Sequence, residues 1–191
     1  GASRSVLRRL HYMLGKPVPA EIVDLMDVQA LRTAIERHRP VAVIHLASPP
    51  GLRLPRRPEN ARARAKALDD HVWLGFNLIN AMESAGCHTL VAASSQSVYT
   101  HDGASPLRED APKAWTELPG HAHLALEDLY ESITKVSSTW RIGCLRLFNV
   151  AGAHSSQCLG PALARPSPNW LMELAYASSG MLPHATVRGW G

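Results

Sequence analysis

Apolar residues recur along this chain in two alternating rhythms. Val6, Leu7, Leu10 and Leu14 stand at helical spacing and predict a helix over residues 3–14, ended by Gly15 and Pro17. Ala20–Leu25 is a short apolar run with β-branched residues and predicts a strand. Asp27 is placed to cap a helix over Val28–Arg39, which Pro40 terminates. Val41–Ala47 is apolar throughout, as a buried parallel strand would be. A loop rich in proline and arginine, Ser48–Pro58, leads into a long helix that reaches about Ala85 and closes at Gly86.

The same alternation continues. His88–Ala93 predicts a strand, followed by a serine-rich turn and an irregular connection through Asp102, Gly103 and Pro106. Glu117–Val136 carries Leu124, Leu126, Leu129 and Ile133 and predicts a helix; Arg141–Phe148 predicts a strand; Asn169–Ser179 predicts a short helix after a Gly-, Pro- and Ser-rich loop. Strands separated by helices imply an α/β domain with a parallel sheet covered by helices on both faces. At 191 residues, 46% hydrophobic and 19% charged, the chain suits one such domain with a substantial core, 1–191, and not a disordered tail. It opens on Gly1 instead of Met, which points to a processed or trimmed start.

Composition narrows the chemistry. Cys87, Cys144 and Cys158 lack metal-ligand spacing and cannot all pair, so a reducing, intracellular compartment is expected and no metal site. No apolar run is long enough to span a bilayer. The net charge of +4 is concentrated in Arg53, Arg56, Arg57, Arg62, Arg64 and Lys66, which marks either a solvated helix face or a polyanion-binding segment.

Several stretches resemble the extended short-chain dehydrogenase/reductase family, most closely its UDP-glucose 4-epimerases. "DLMDVQAL" (Asp24–Leu31) is similar to the third-strand motif that meets the adenine of NAD, and "VIHLAS" (Val43–Ser48) to the fourth-strand motif lining the dinucleotide cleft. "AASSQSVY" (Ala92–Tyr99) resembles the fifth-strand motif, with Ser95 at the catalytic serine. "CLRLFNVAGAH" (Cys144–His154) is the most specific, and "NWLMELAYASSG" (Asn169–Gly180) resembles the helix over the uridine site. The resemblance implies a Rossmann-like sheet, cofactor contacts at Asp24, Leu25, Leu46, Ala47 and Ser94, and UDP-sugar contacts at Asn149 and Asn169.

The departures are equally specific. The family uses a Tyr-x-x-x-Lys pair, yet no tyrosine lies between Thr100 and Leu129 and the only lysine there is Lys113. Aligning "LALEDL" (Leu124–Leu129) puts Pro119 or Gly120 at the tyrosine and His123 or Leu124 at the lysine. His71 replaces an asparagine of the long helix. The one literal match, Tyr12 to Lys16, contains Gly15 and precedes the adenine motif, so it is a coincidence of packing. The Gly-x-x-Gly-x-x-Gly phosphate turn and first two strands are missing, as is the C-terminal substrate domain, of which 169–191 would be the start.

The expectation is therefore a catalytically inactive scaffold with Ser95 vestigial and no cofactor. It would serve as a subunit of a larger protein assembly that contacts RNA, if present, through Arg56, Arg57, Arg62 and Arg64. The alternative is an NAD-dependent UDP-glucose 4-epimerase in fragment or divergent form. A third is a nucleotide sensor without turnover.

Overall fold

The computed structural model describes residues 4–49, 58–100, 106–114, 117–160 and 170–185. The chain divides into two compact units: Val23–Phe148, and Gly1–Ile22 together with Asn149–Gly191.

The larger unit holds α2 (Val28–His38), β1 (Val43–His45), α3 (Ala61–Ser84), β2 (Thr89–Ser95), α4 (Leu118–Val136) and β3 (Arg141–Leu147). In the smaller unit are α1 (Arg4–Leu14) and α5 (Trp170–Ser178). The three strands form one parallel sheet in the order β1-β2-β3, pairing Ile44 with Val91 and Val91 with Gly143. This is the Rossmann-like arrangement that the alternating pattern predicts, with three parallel strands among the described residues.

Element ends follow local chemistry. Asp27 caps α2 by accepting the Ala30 amide at 3.0 Å, and Arg39 ends the helix at φ 42° with its N–H on the Ile35 carbonyl at 2.8 Å. Gly86, at φ 68°, lets the chain leave α3 while the Cys87 amide returns to the Met82 carbonyl at 2.9 Å.

One core joins Leu31 and Ile35 of α2, Leu78, Ile79 and Met82 of α3, Leu90 and Ala92 of β2, and Leu126 and Tyr130 of α4. Leu90 and Ala92 alternate with half-buried Val91 and Ala93, so one sheet face carries the helices. In this unit the opposite face presents Ile44, Leu145 and Leu147 to solvent. Asn77 ties the loop before α2 to α3 by donating to the Leu25 carbonyl at 3.1 Å.

Two strand expectations are corrected. Ala20–Leu25 forms no strand, and Ile22 is fully exposed; an extended segment without a hydrogen-bonding neighbour gains nothing from strand geometry. The run Val41–Ala47 shortens to Val43–His45, with Val41 and Leu46 exposed, because β1 is an edge strand among the described residues. The two runs do not pair with each other.

Candidate active site

The carboxyl ends of the strands bring His45, Ser94, Ser95 and Arg146 to one edge of the sheet, where open parallel sheets bind ligands. Ser95 caps the single 3₁₀ turn Gln96–Val98. Its Oγ accepts the Ser97 amide at 3.2 Å and lies 2.9 Å from the Ser97 hydroxyl. The first turn of α4 rests on this same segment: a Cβ at Gly120 would collide with the Ser97 carbonyl oxygen. No tyrosine fits at 120. Of the two positions the resemblance offers for the tyrosine, Pro119 and Gly120, the second has no room for a side chain; His123 lies four residues beyond Pro119.

His123 meets the other substituted position. Its ring packs edge-on against His71 of α3, with centroids 4.7 Å apart. His71 is 1% exposed, and neither of its ring nitrogens has a partner; Nε2 of buried His45, at the end of β1, also lacks one. Burial, reinforced by the charges of His123 and His45, pushes the His71 pKa down to about 3, and burial lowers that of His45. Both imidazoles are therefore neutral near pH 7. Among the described residues no three His, Cys, Asp or Glu side chains are arranged to hold a metal ion.

Behind Ser95 lies a buried charged network. Glu127 of α4 accepts from Ser94 Oγ at 2.6 Å, from Arg146 Nε at 3.0 Å and from Arg146 Nη2 at 2.8 Å. Arg146 also donates to the Tyr99 hydroxyl at 2.8 Å and the Glu109 carbonyl at 3.0 Å. Lys113 Nζ stands 3.9 Å from Glu127. Burial works to raise the Glu127 pKa, but hydrogen bonds from Arg146 and Ser94 and the charges of Arg146 and Lys113 outweigh it and hold the carboxyl low. A half-open groove of about 640 Å³ runs past Arg146 and Cys144, where burial and Glu127 push the thiol up to about 11; its lining does not reach Ser95.

The other expected positions are dispersed. Asp24 accepts the Met26 amide at 2.9 Å, a turn-forming bond, and the Leu25 carbonyl is taken by Asn77. Leu46 and Ala47 are exposed beyond β1, while the Ser94 hydroxyl is committed to Glu127. Asn149 is exposed two residues past β3. Arg62 and Arg64 lie in the first turn of α3, whereas Arg53, Arg56, Arg57 and Asn169 fall outside the described residues. Tyr12 is exposed near the end of α1, and Gly15 at φ 63° breaks the helix before Lys16. Sequence reasoning missed His45 and the pairing of Glu127 with Arg146, since residues far apart in the chain give no spacing signal.

A parallel sheet carrying helices, with a serine turn at its strand ends against a helix start, is a Rossmann-like α/β arrangement. The NAD dependent epimerase/dehydratase family model matches residues 4–167, and the chain belongs to that family. It is 31% identical to the UDP-glucose 4-epimerase of Neisseria meningitidis serogroup A, over 98% of this chain and 54% of that protein. Identity to the Bacillus subtilis UDP-glucose 4-epimerase is 29%, over 98% of this chain and 54% of that protein. A solved UDP-glucose 4-epimerase from Stenotrophomonas maltophila, with bound NAD and formylated UDP-arabinopyranose, superposes with a TM-score of 0.83 at 26% identity, covering 96% of this chain and 53% of that one. The chain spans about half the length of the curated relatives it matches. These relatives overturn the expectation of an inactive structural subunit: they are enzymes, matched along nearly the whole chain, and nothing in the structure indicates a scaffold role. The expectation of no cofactor falls with it, since the family is NAD dependent.

Proposed function

We propose that the protein carrying this chain is an NAD-dependent epimerase that interconverts UDP-glucose and UDP-galactose. The observation that carries this reading is 31% identity to a UDP-glucose 4-epimerase over 98% of the chain. The placement of Ser95 at the carboxyl end of β2, beside the start of α4, supports it.

The residues present fit a dinucleotide in part. His45, the last residue of β1, holds a buried Nε2 without a partner, a polar atom at the strand end left to be satisfied. Asp24, Leu25, Leu46, Ala47 and the Ser94 backbone would lie along NAD; Asn149 and Asn169 would hold the UDP-sugar. When bound, NAD would supply the hydride acceptor and donor for oxidation and re-reduction of the sugar. Ser95 polarises the sugar hydroxyl by hydrogen bonding, and the Ser97 hydroxyl, 2.9 Å away, orients it. Glu127, through Ser94, holds the strand end on which Ser95 sits.

The test is to incubate the complete purified protein with NAD and UDP-galactose and to measure UDP-glucose formed. Conversion is expected. A folded protein that binds UDP-galactose without ever yielding UDP-glucose overturns the reading.

A further inference from the structure

We propose that His123 is the proton acceptor for the sugar hydroxyl, taking the place of the family's tyrosine and lysine, with His71 as its positioning partner. The inference rests on the reading of the protein as an epimerase.

Four observations lead to it. Gly120 abuts the Ser97 carbonyl, so α4 can start against the Ser95 turn only with glycine there, and neither position the resemblance offers for the tyrosine, Pro119 or Gly120, carries a titrating group. His123 lies one helical turn beyond Gly120, hence on the same face of α4, and is half-buried and so still open to solvent. The ring of His71 stands at 82° to that of His123 with centroids 4.7 Å apart, which restricts how His123 can rotate. His71 is itself fixed in the core with both nitrogens unpaired. Two positions that depart from the family, far apart in sequence, are therefore in contact.

The chemistry balances. The sugar O–H bond breaks and its proton passes to an imidazole nitrogen of His123. The adjacent C–H bond breaks with its electron pair, which leaves as hydride to NAD, and a carbonyl forms; the sugar is oxidised and NAD reduced. Reversal on the other face returns both. An imidazole has the proton affinity for this near neutral pH, where an isolated tyrosine would not. A protonated His123 gains no competing charge from His71 or from His45, the titratable groups of α3 and β1 beside the pair, since burial keeps both neutral. Glu127, four residues further along α4, is itself committed to Arg146 and Ser94.

The experiment uses the complete protein in three arms. His123→Gln is expected to lower kcat about 100-fold or more with little change in KM and to remove the near-neutral limb of the pH profile. His71→Asn, which leaves His123 in place, is expected to keep that limb at reduced kcat. The third arm needs no turnover: in histidine-labelled protein saturated with NAD, adding UDP-galactose should shift the ring resonances of His123, assigned by their loss in His123→Gln. Unchanged kcat and pH profile in His123→Gln, or a His123 signal indifferent to UDP-galactose, overturns the proposal. An inactive wild type with a responsive His123 sinks only the epimerase reading.

Discussion

Glu127 and Arg146 join α4 to β3 through two charge-assisted hydrogen bonds of 3.0 and 2.8 Å, with side chains only 7% and 19% exposed. The pair sits directly behind the serines that end β2, so the geometry of the proposed site depends on its integrity.

Removing one partner should therefore cost far more than a surface ion pair would. Arg146→Met leaves Glu127 buried beside Ser94 with its main counter-charge gone, and we expect a loss of about 3–5 kcal/mol in urea unfolding. A loss below about 1 kcal/mol, the range of exposed pairs, would show that the carboxylate reaches water. Because the folded-state pKa of Glu127 lies below its ordinary value of 4.5, its contribution is full above that value and disappears as pH falls through the folded pKa. Glu127→Gln should flatten the acid limb.

His71 gives a second, separable pH effect. Its pKa falls from 6.5 to about 3 on folding, so the unfolded chain binds the extra proton and stability drops as pH falls from 6.5 toward 3. His71→Leu should remove that slope, measured as the urea midpoint at several pH values, while leaving the Glu127 contribution, which is lost only below 4.5.

Two glycines permit close approach and differ in what they face. A Cβ at Gly120 would strike the Ser97 backbone carbonyl, whereas one at Gly75 would meet the Leu126 side chain and, at 2.7 Å, the Tyr130 hydroxyl. Side chains can rotate away and a carbonyl in a turn cannot. Gly120→Ala should therefore destabilise more than Gly75→Ala, the latter by about 1–3 kcal/mol, as read from denaturant midpoints.

The pair missing from the sequence can be supplied. Pro119→Tyr combined with His123→Lys places a Tyr-x-x-x-Lys pair at positions the resemblance offers for it, clear of the tight Gly120 contact. The double variant should retain turnover of UDP-galactose with a pH profile that no longer shows an imidazole limb. A double variant that keeps the wild-type profile would place the titrating group elsewhere.

Much of the fold was legible because periodicity is a local property. The Asp27 cap, the Gly86 stop and the spans of α2, α3 and α4 lie within a residue or two of their predicted limits, each fixed by side chains near it in sequence. The strand predictions at Ala20–Leu25 and Val41–Ala47 failed for the opposite reason: a strand exists only when another chain segment accepts its hydrogen bonds, and apolar composition cannot report whether one is there.

For the site, the sequence alone determined the family, the serine at 95 and the lack of a tyrosine between Thr100 and Leu129, because each is a matter of residue identity and order. Only the tertiary structure decided which register α4 takes against the Ser97 turn, that His71 and His123 touch, and that Glu127 and Arg146 pair beneath Ser94. Those facts depend on distances between helices and strands, set by how the core packs, and linear spacing does not encode them.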